Sequence, residues 1–176
     1  MKELNYFDVM GYTAEKMSRG GVFLNVTGDT PNTMTIGWGW LGYCWKKGVF
    51  AVVVRPQRHT FELIQKAGCF TVSVPTDHPL TRELIYAGTR SGRDENKFEG
   101  HGLTAAPAQK VNAPIVAECG LHFECRIVMS ADMPADSMDA GILASCYPQR
   151  DMHQMFFGEI VACYATDDAF AAKYAR

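Results

Sequence analysis

The 176-residue chain has no apolar run approaching the roughly 20 residues that cross a bilayer as a helix. No Gly-x-Gly-x-x-Gly or Gly-x-x-x-x-Gly-Lys loop follows a strand-like run, which removes the Rossmann and P-loop nucleotide fingerprints. No Gly-x-Ser-x-Gly elbow is present, so the serine hydrolase of the α/β type is excluded as well. Positive charge is not in excess: 17 basic against 19 acidic residues leave a net charge of -2. That argues against a strongly basic nucleic-acid binder and against an acidic tail protein. The six cysteines form no Cys-x-x-Cys pair, and Cys69, Cys119, Cys125 and Cys163 lie within apolar, strand-like runs. Residues 1–8 hold no basic stretch followed by an apolar one, so no signal peptide is expected. Together these features lead us to expect buried free thiols in a cytoplasmic protein.

What is present is the make-up of a folded protein: 47% hydrophobic and 20% charged residues, with no low-complexity linker and no repeat. A single domain over residues 1–176 is expected. Many of the 16 glycines fall where strand-like runs stop, which points to a β-rich fold. Strands are predicted over 22–27, 33–40, 49–55, 69–74 and 156–164, with a turn over 28–32. Residues 115–129 alternate apolar positions with mostly polar ones such as His122, Glu124 and Arg126. They read as a long half-buried strand with a bend or break at Gly120. Helices are predicted over 60–67, with Gly68 at its end, and over 80–87. Residues 91–98 read as a polar turn or short helix. Six or more strands with two or three short peripheral helices point to a mainly β barrel rather than a doubly wound sheet.

Four segments carry candidate chemistry. In Asn32-Thr33-Met34-Thr35-Ile36-Gly37-Trp38-Gly39-Trp40, the odd positions form a small, lightly polar face where a flat ligand could approach the backbone. The alternative is a barrel strand whose glycines relieve crowding at a corner. In Arg55-Pro56-Gln57-Arg58-His59-Thr60, two arginines arrive at a helix N-terminus with Thr60 as the predicted N-cap, a setting that suits a phosphate. The alternative is a pair of surface arginines beside a capped helix. Ser91-Gly92-Arg93-Asp94-Glu95-Asn96-Lys97-Phe98 brings Arg93 and Lys97 to one face if helical, and is otherwise a solvated turn. His153, just before an apolar strand, is placed to titrate near neutrality or to serve as a structural hydrogen bonder. Cys119, His122 and Cys125 have ligand-like spacing, but on one strand the cysteines face away from His122, so no metal site is expected.

In order along the chain, these segments resemble the flavin reductase-like family of FMN-binding split barrels, the type that includes flavoredoxin. The resemblance runs from about Gly20 to about Asp168. Asn32 to Trp38 is similar to the family's strand against the isoalloxazine ring, and Arg55 to Thr60 to its phosphate-binding turn. Ser91-Gly92-Arg93-Asp94 with Lys97-Phe98, and His153 with Gly158-Glu159, resemble its two later motifs, and Glu124-Cys125 lies between them. Gln57 departs from the hydroxyl residue common there; its amide can still donate to phosphate.

The resemblance implies a Greek-key type split β-barrel and a homodimer with FMN near the subunit interface. It implies electron transfer from NADH, NADPH or a protein donor through FMN to a flavin, a metal or a protein. The implied FMN ligands are Asn32, Thr33, Met34, Thr35, Trp38, Arg55, Gln57, Arg58, His59, Thr60, Ser91 and Lys97. His153 is the implied catalytic neighbour. The alternatives are an FMN electron carrier without NAD(P)H activity, and a binding module for another phosphorylated ligand. Neither nucleic acid nor membrane is an expected partner.

Overall fold

The computed structural model describes residues 1–174. In chain order the elements are β1 (Lys2–Glu3), α1 (Tyr6–Arg19), β2 (Val22–Thr27), β3 (Pro31–Ile36), β4 (Gly39–Cys44), β5 (Lys47–Val54), α2 (His59–Ala67), β6 (Cys69–Val74) and α3 (Thr81–Thr89). They continue with β7 (Ala105–Pro107), β8 (Pro114–Val116), β9 (Leu121–Asp132), α4 (Ala140–Cys146), β10 (Gln154–Ala165) and α5 (Asp168–Tyr174). One antiparallel sheet runs in the order β3-β2-β6-β9-β10-β5-β4, with β1 also on β10. Its two edge strands, β3 and β4, are joined in sequence by only Gly37 and Trp38. The sheet therefore curls until its edges meet at one corner, yet β3 and β4 do not pair, and the barrel stays split along that seam.

The core is made by apolar side chains of four strands. Phe50, Val52 and Val54 of β5 pack with Leu24 and Val26 of β2, Phe70 and Val72 of β6, and Phe123 of β9. All of these are fully buried. The Phe50 and Phe123 rings meet edge to face, with centroids 5.3 Å apart. A hairpin of two three-residue strands, β7–β8, lies over the other face of β2 and β6, its connecting loop reaches Glu124 of β9, and it forms a second cluster with Phe23, Leu84 and Leu103.

That hairpin changes the meaning of the alternation in 115–129. His122 and Glu124 face away from the apolar core, yet both are fully buried. His122 Nδ1 meets Ser73 Oγ at 3.1 Å, and Glu124 accepts the backbone N–H groups of Gln109, Lys110 and Val111 at 2.7, 2.6 and 3.2 Å. The polar face is a satisfied internal layer rather than a solvated one. The bend or break expected at Gly120 is a break: the segment is two strands, β8 and β9, separated by a turn that contains Gly120. Cys119 lies in that turn, so strand register does not relate it to His122 and Cys125.

Other expectations are corrected in the same way. The strand predicted over 33–40 is broken at Gly37–Trp38, and the chain continues in β4 to Cys44. Helix α1 was not predicted: its buried side is Val9, Thr13 and Met17, at four-residue spacing, and the threonine hides the apolar period. The Thr13 hydroxyl is satisfied within the helix, donating to the Val9 carbonyl at 2.9 Å. Helices α4 and α5 were not predicted either, and α4 buries no residue. Among the described residues, no helix is long and apolar enough to cross a membrane.

Candidate functional site

The turn after β5 is built by Pro56, whose fixed φ suits the second position of a β-turn. The Arg58 amide closes this turn on the Arg55 carbonyl at 3.0 Å. Helix α2 then starts at His59, with Arg58 in extended conformation as N-cap and no side chain capping the end. Thr60 is thus inside the first helical turn and is not the N-cap expected. Its hydroxyl, nearly fully buried, accepts the Asn32 amide at 2.9 Å, which leaves its own hydrogen free to donate. The amides of His59 and Thr60 have no backbone partner among the described residues. The start of α2 is therefore a set of free donors at the positive end of the helix dipole.

Residues 91–98 fold as turns, not as a helix, with Asp94 and Glu95 amides on the Ser91 carbonyl. Arg93 and Lys97 do not share a face. Arg93 stays half exposed and braces the turn, donating to the Gln57 carbonyl at 3.0 Å and pairing with Glu62 at 3.2 Å. Lys97 goes inward and is only 4% exposed. Its ammonium donates to the carbonyls of Thr33 at 2.9 Å and Ala87 at 2.8 Å. Among the described residues no carboxylate forms an ion pair with it. Burial, with Arg58 nearby, pushes its pKa down to about 8. The loop sits this close because residue 92 is glycine: a Cβ there would lie 2.1 Å from Asn32 Oδ1.

These parts enclose a cavity of about 230 Å³ whose lining includes Arg58, Thr60, Arg90, Ser91 and Lys97. A second, more open cavity of about 380 Å³ runs along the barrel seam, past Met34 to Trp38, Val53 and His153. Met34, Arg55 and Arg58 line both, so the two form one continuous groove. The cationic turn and the Asn32–Trp38 ribbon thus meet at one place.

Several predicted residues sit there in a different manner from that expected. The small face of β3 is covered: the Thr33 hydroxyl donates to Asn25 at 2.7 Å, and the Thr35 hydroxyl to the Leu84 carbonyl at 2.6 Å. Helix α3 lies close against that face, with Gly88 over Thr35. Met34, Ile36 and Trp38 line the groove, and Thr35 and Gly37 line it too. Arg55 is held by Asp151 and donates to the Cys146 carbonyl at 2.9 Å. The Gln57 amide also goes to Asp151, at 3.1 Å. Burial alone would raise the Asp151 carboxyl; these two donors outweigh it and hold the pKa below its usual value. Arg55 is therefore already neutralised, and the uncompensated charge comes from Lys97 and Arg58. His59 lines the first, narrower cavity and contacts Glu62 through Nδ1 at 2.6 Å.

His153 is not poised near neutrality. Burial first, then Arg55, pushes its pKa down to about 4, so the ring is neutral in the physiological range. Its Nδ1 lies 2.8 Å from the Tyr147 hydroxyl, and its ring centroid 5.2 Å from that of Trp38. Tyr147, Asp151 and Arg90 were not singled out in the sequence. Arg90 was recoverable from its place directly before Ser91-Gly92. Tyr147 and Asp151 lie in an irregular excursion between β9 and β10 that carries no periodic signal.

A model of the flavin reductase like domain matches residues 17–176. The chain belongs to the flavin reductase-like family. A solved structure of flavoredoxin from Desulfovibrio vulgaris (Miyazaki F) is 27% identical, with a TM-score of 0.67 over 85% of this chain and 70% of that one. A solved split barrel domain from Shewanella frigidimarina is 19% identical, with the same TM-score of 0.67 over 93% of this chain and 77% of that one. The fold is thus a split barrel of the flavin reductase type, as the resemblance implied. An uncharacterized protein of Archaeoglobus fulgidus is 36% identical over 111 residues, 62% of each chain. The match therefore spans about three-fifths of that relative's length.

Proposed function

We propose that this flavin reductase-like chain is an FMN-dependent oxidoreductase. In this reading it takes electrons from NADH, NADPH or a protein donor and delivers them to a flavin, a metal or a protein. One observation carries the reading. A buried ammonium, Lys97, has two carbonyl partners and no carboxylate. It lines a cavity that the unpaired N-terminus of α2 also reaches, and that cavity opens onto the groove along the barrel seam. A phosphate monoester with a flat ring fits this donor set: it supplies the missing counter-charge at one end and fills the seam at the other.

FMN, when bound, supplies the redox chemistry. The chain's own residues bind and orient it. Lys97, Arg58, Ser91, Thr60 and the His59 and Thr60 amides are assigned to the phosphate. Asn32 aligns Thr60. Arg55, with Gln57 and Asp151, forms a fixed wall between the two ends. Met34 and the backbone of Thr35 to Gly37 face the ring, Trp38 lies at its edge, and neutral His153 meets the ring or a second substrate. The reading extends to one FMN-binding domain in a homodimer. Trp40, Tyr43 and Trp45 are 43%, 63% and 50% exposed on and beside β4, an aromatic surface that suits a second copy. All six cysteines are free, which suits the cytoplasm.

The test is the visible spectrum of the purified protein. A yellow protein that releases FMN on denaturation supports the reading; a colourless protein that ignores added FMN overturns it. Anaerobic addition of each reduced nicotinamide then separates the donors. Bleaching with neither assigns a protein donor.

A further inference from the structure

Tyr147 occupies a position that binding a phosphate does not explain. It is 3% exposed, although it follows α4, which buries nothing. Its ring touches three members of the groove wall. The Arg55 guanidinium lies 5.4 Å from its centroid, the Trp38 ring stands edge-on at 6.2 Å, and the His153 ring at 5.5 Å. Its hydroxyl has two neighbours, His153 Nδ1 at 2.8 Å and Met133 Sδ at 3.6 Å. A thioether is a weak acceptor, and a neutral imidazole nitrogen is a strong one. The phenol is also the better donor of the Tyr–His pair. The O–H therefore goes to Nδ1, and the ring proton is left on Nε2, which has no hydrogen-bond partner among the described residues.

We infer that Tyr147 is a positioning residue that locks His153 as the Nε2–H tautomer, so that the wide end of the groove offers a neutral N–H donor to an acceptor atom of a planar carbonyl or heteroaromatic ligand. The assignment of that ligand rests on the flavin reading above; the tautomer does not. A neutral donor suits a ring carbonyl or ring nitrogen, which needs a directed hydrogen bond rather than a counter-charge. The pairing also keeps the imidazole from turning its acceptor nitrogen into the groove.

The experiment is nitrogen NMR of the imidazole side chains in the full chain, uniformly ¹⁵N-labelled and freed of flavin, near neutral pH. His153 is identified by the signal lost in His153→Gln. The expected result is an unprotonated, acceptor-type Nδ1 and a protonated Nε2. In Tyr147→Phe, which keeps the ring packing, the two nitrogens move toward a mixture of tautomers. A protonated Nδ1 in the unmodified chain overturns the inference, and so does an unchanged pattern in Tyr147→Phe. Should that variant fail to fold, the pattern of the unmodified chain still decides. FMN is then added. A shift of the His153 Nε2 signal supports the donor role. Binding of FMN, seen in its own absorbance, without that shift overturns the donor role and leaves the flavin reading intact. Absence of any binding overturns the flavin reading and the ligand assignment together, with the tautomer already measured.

Discussion

The two ends of the groove are built on opposite principles. The narrow end holds charge that its own protein does not neutralise: Lys97 with carbonyls only, Arg58 on the Gly88 carbonyl at 3.2 Å, and a helix start without a cap. The wide end has its charge settled in advance. Arg55 is paired with Asp151, His153 is neutral, and Trp38 and Tyr147 supply apolar surface. An uncapped helix and an unpaired buried ammonium both cost stability, and a bound anion offsets both. In the proposed reading, affinity is concentrated at the narrow end, and the wide end is left neutral and open for a ring and its reaction partner. The chain divides the two tasks between different structural elements, α2 with the 91–97 turns for one and the β3–β4 seam with the β9–β10 excursion for the other.

The largest effect is expected for Lys97→Met. Charge-assisted hydrogen bonds contribute about 1.5–3 kcal/mol, so FMN affinity should fall by about a hundredfold. Riboflavin, which lacks the phosphate, should lose little. Isothermal titration with both flavins measures the contrast, and equal losses would erase the division between the ends. Arg58→Ala should follow the same pattern with a smaller loss, about tenfold, because its side chain is more exposed and better hydrated.

The pH dependence sharpens the comparison. The lysine is protonated below about 8 and can then counter the phosphate. Above that value it loses its proton, so FMN affinity should fall as pH rises, by about tenfold between roughly pH 7 and 9. The phosphate itself is already a dianion there, since its second pKa is about 6. His153, at about 4, stays neutral throughout. Lys97→Met should flatten this slope, and an unchanged slope in that variant would assign it to another group. The smallest effect belongs to the wide end. Trp38→Ala should weaken FMN and riboflavin alike, by about fivefold, within the roughly 0.5–1.5 kcal/mol of an edge-on aromatic contact; the indole is 47% exposed. A loss confined to FMN would move Trp38 to the phosphate end.

How much of this was legible in the sequence follows from which signals were local. The buried strands 22–27, 49–55 and 69–74 are short, mostly apolar segments bounded by glycine, proline or charge, and their elements lie where the pattern put them. The turn over 55–60 was legible because Pro56, two arginines and a following amphipathic helix are neighbours in sequence. What failed was long-range. The polarity of His122 and Glu124 says "solvent" unless it is known that β7–β8 covers them. Lys97 looks like a surface charge in a polar segment until Gly92 lets that segment approach Asn32. Gln57 and Arg55 point to Asp151 only because β10 runs beside β5, which places residues nearly a hundred positions apart together. Tyr147 sits in an excursion with no period at all, so its contact with His153 exists only in three dimensions.

The most direct measurement compares the affinities of FMN and riboflavin for the unmodified flavin-free chain near neutral pH. With Lys97 and Arg58 both engaged, FMN should bind at least about a hundredfold more tightly. Equal affinities would mean that the narrow end holds no phosphate.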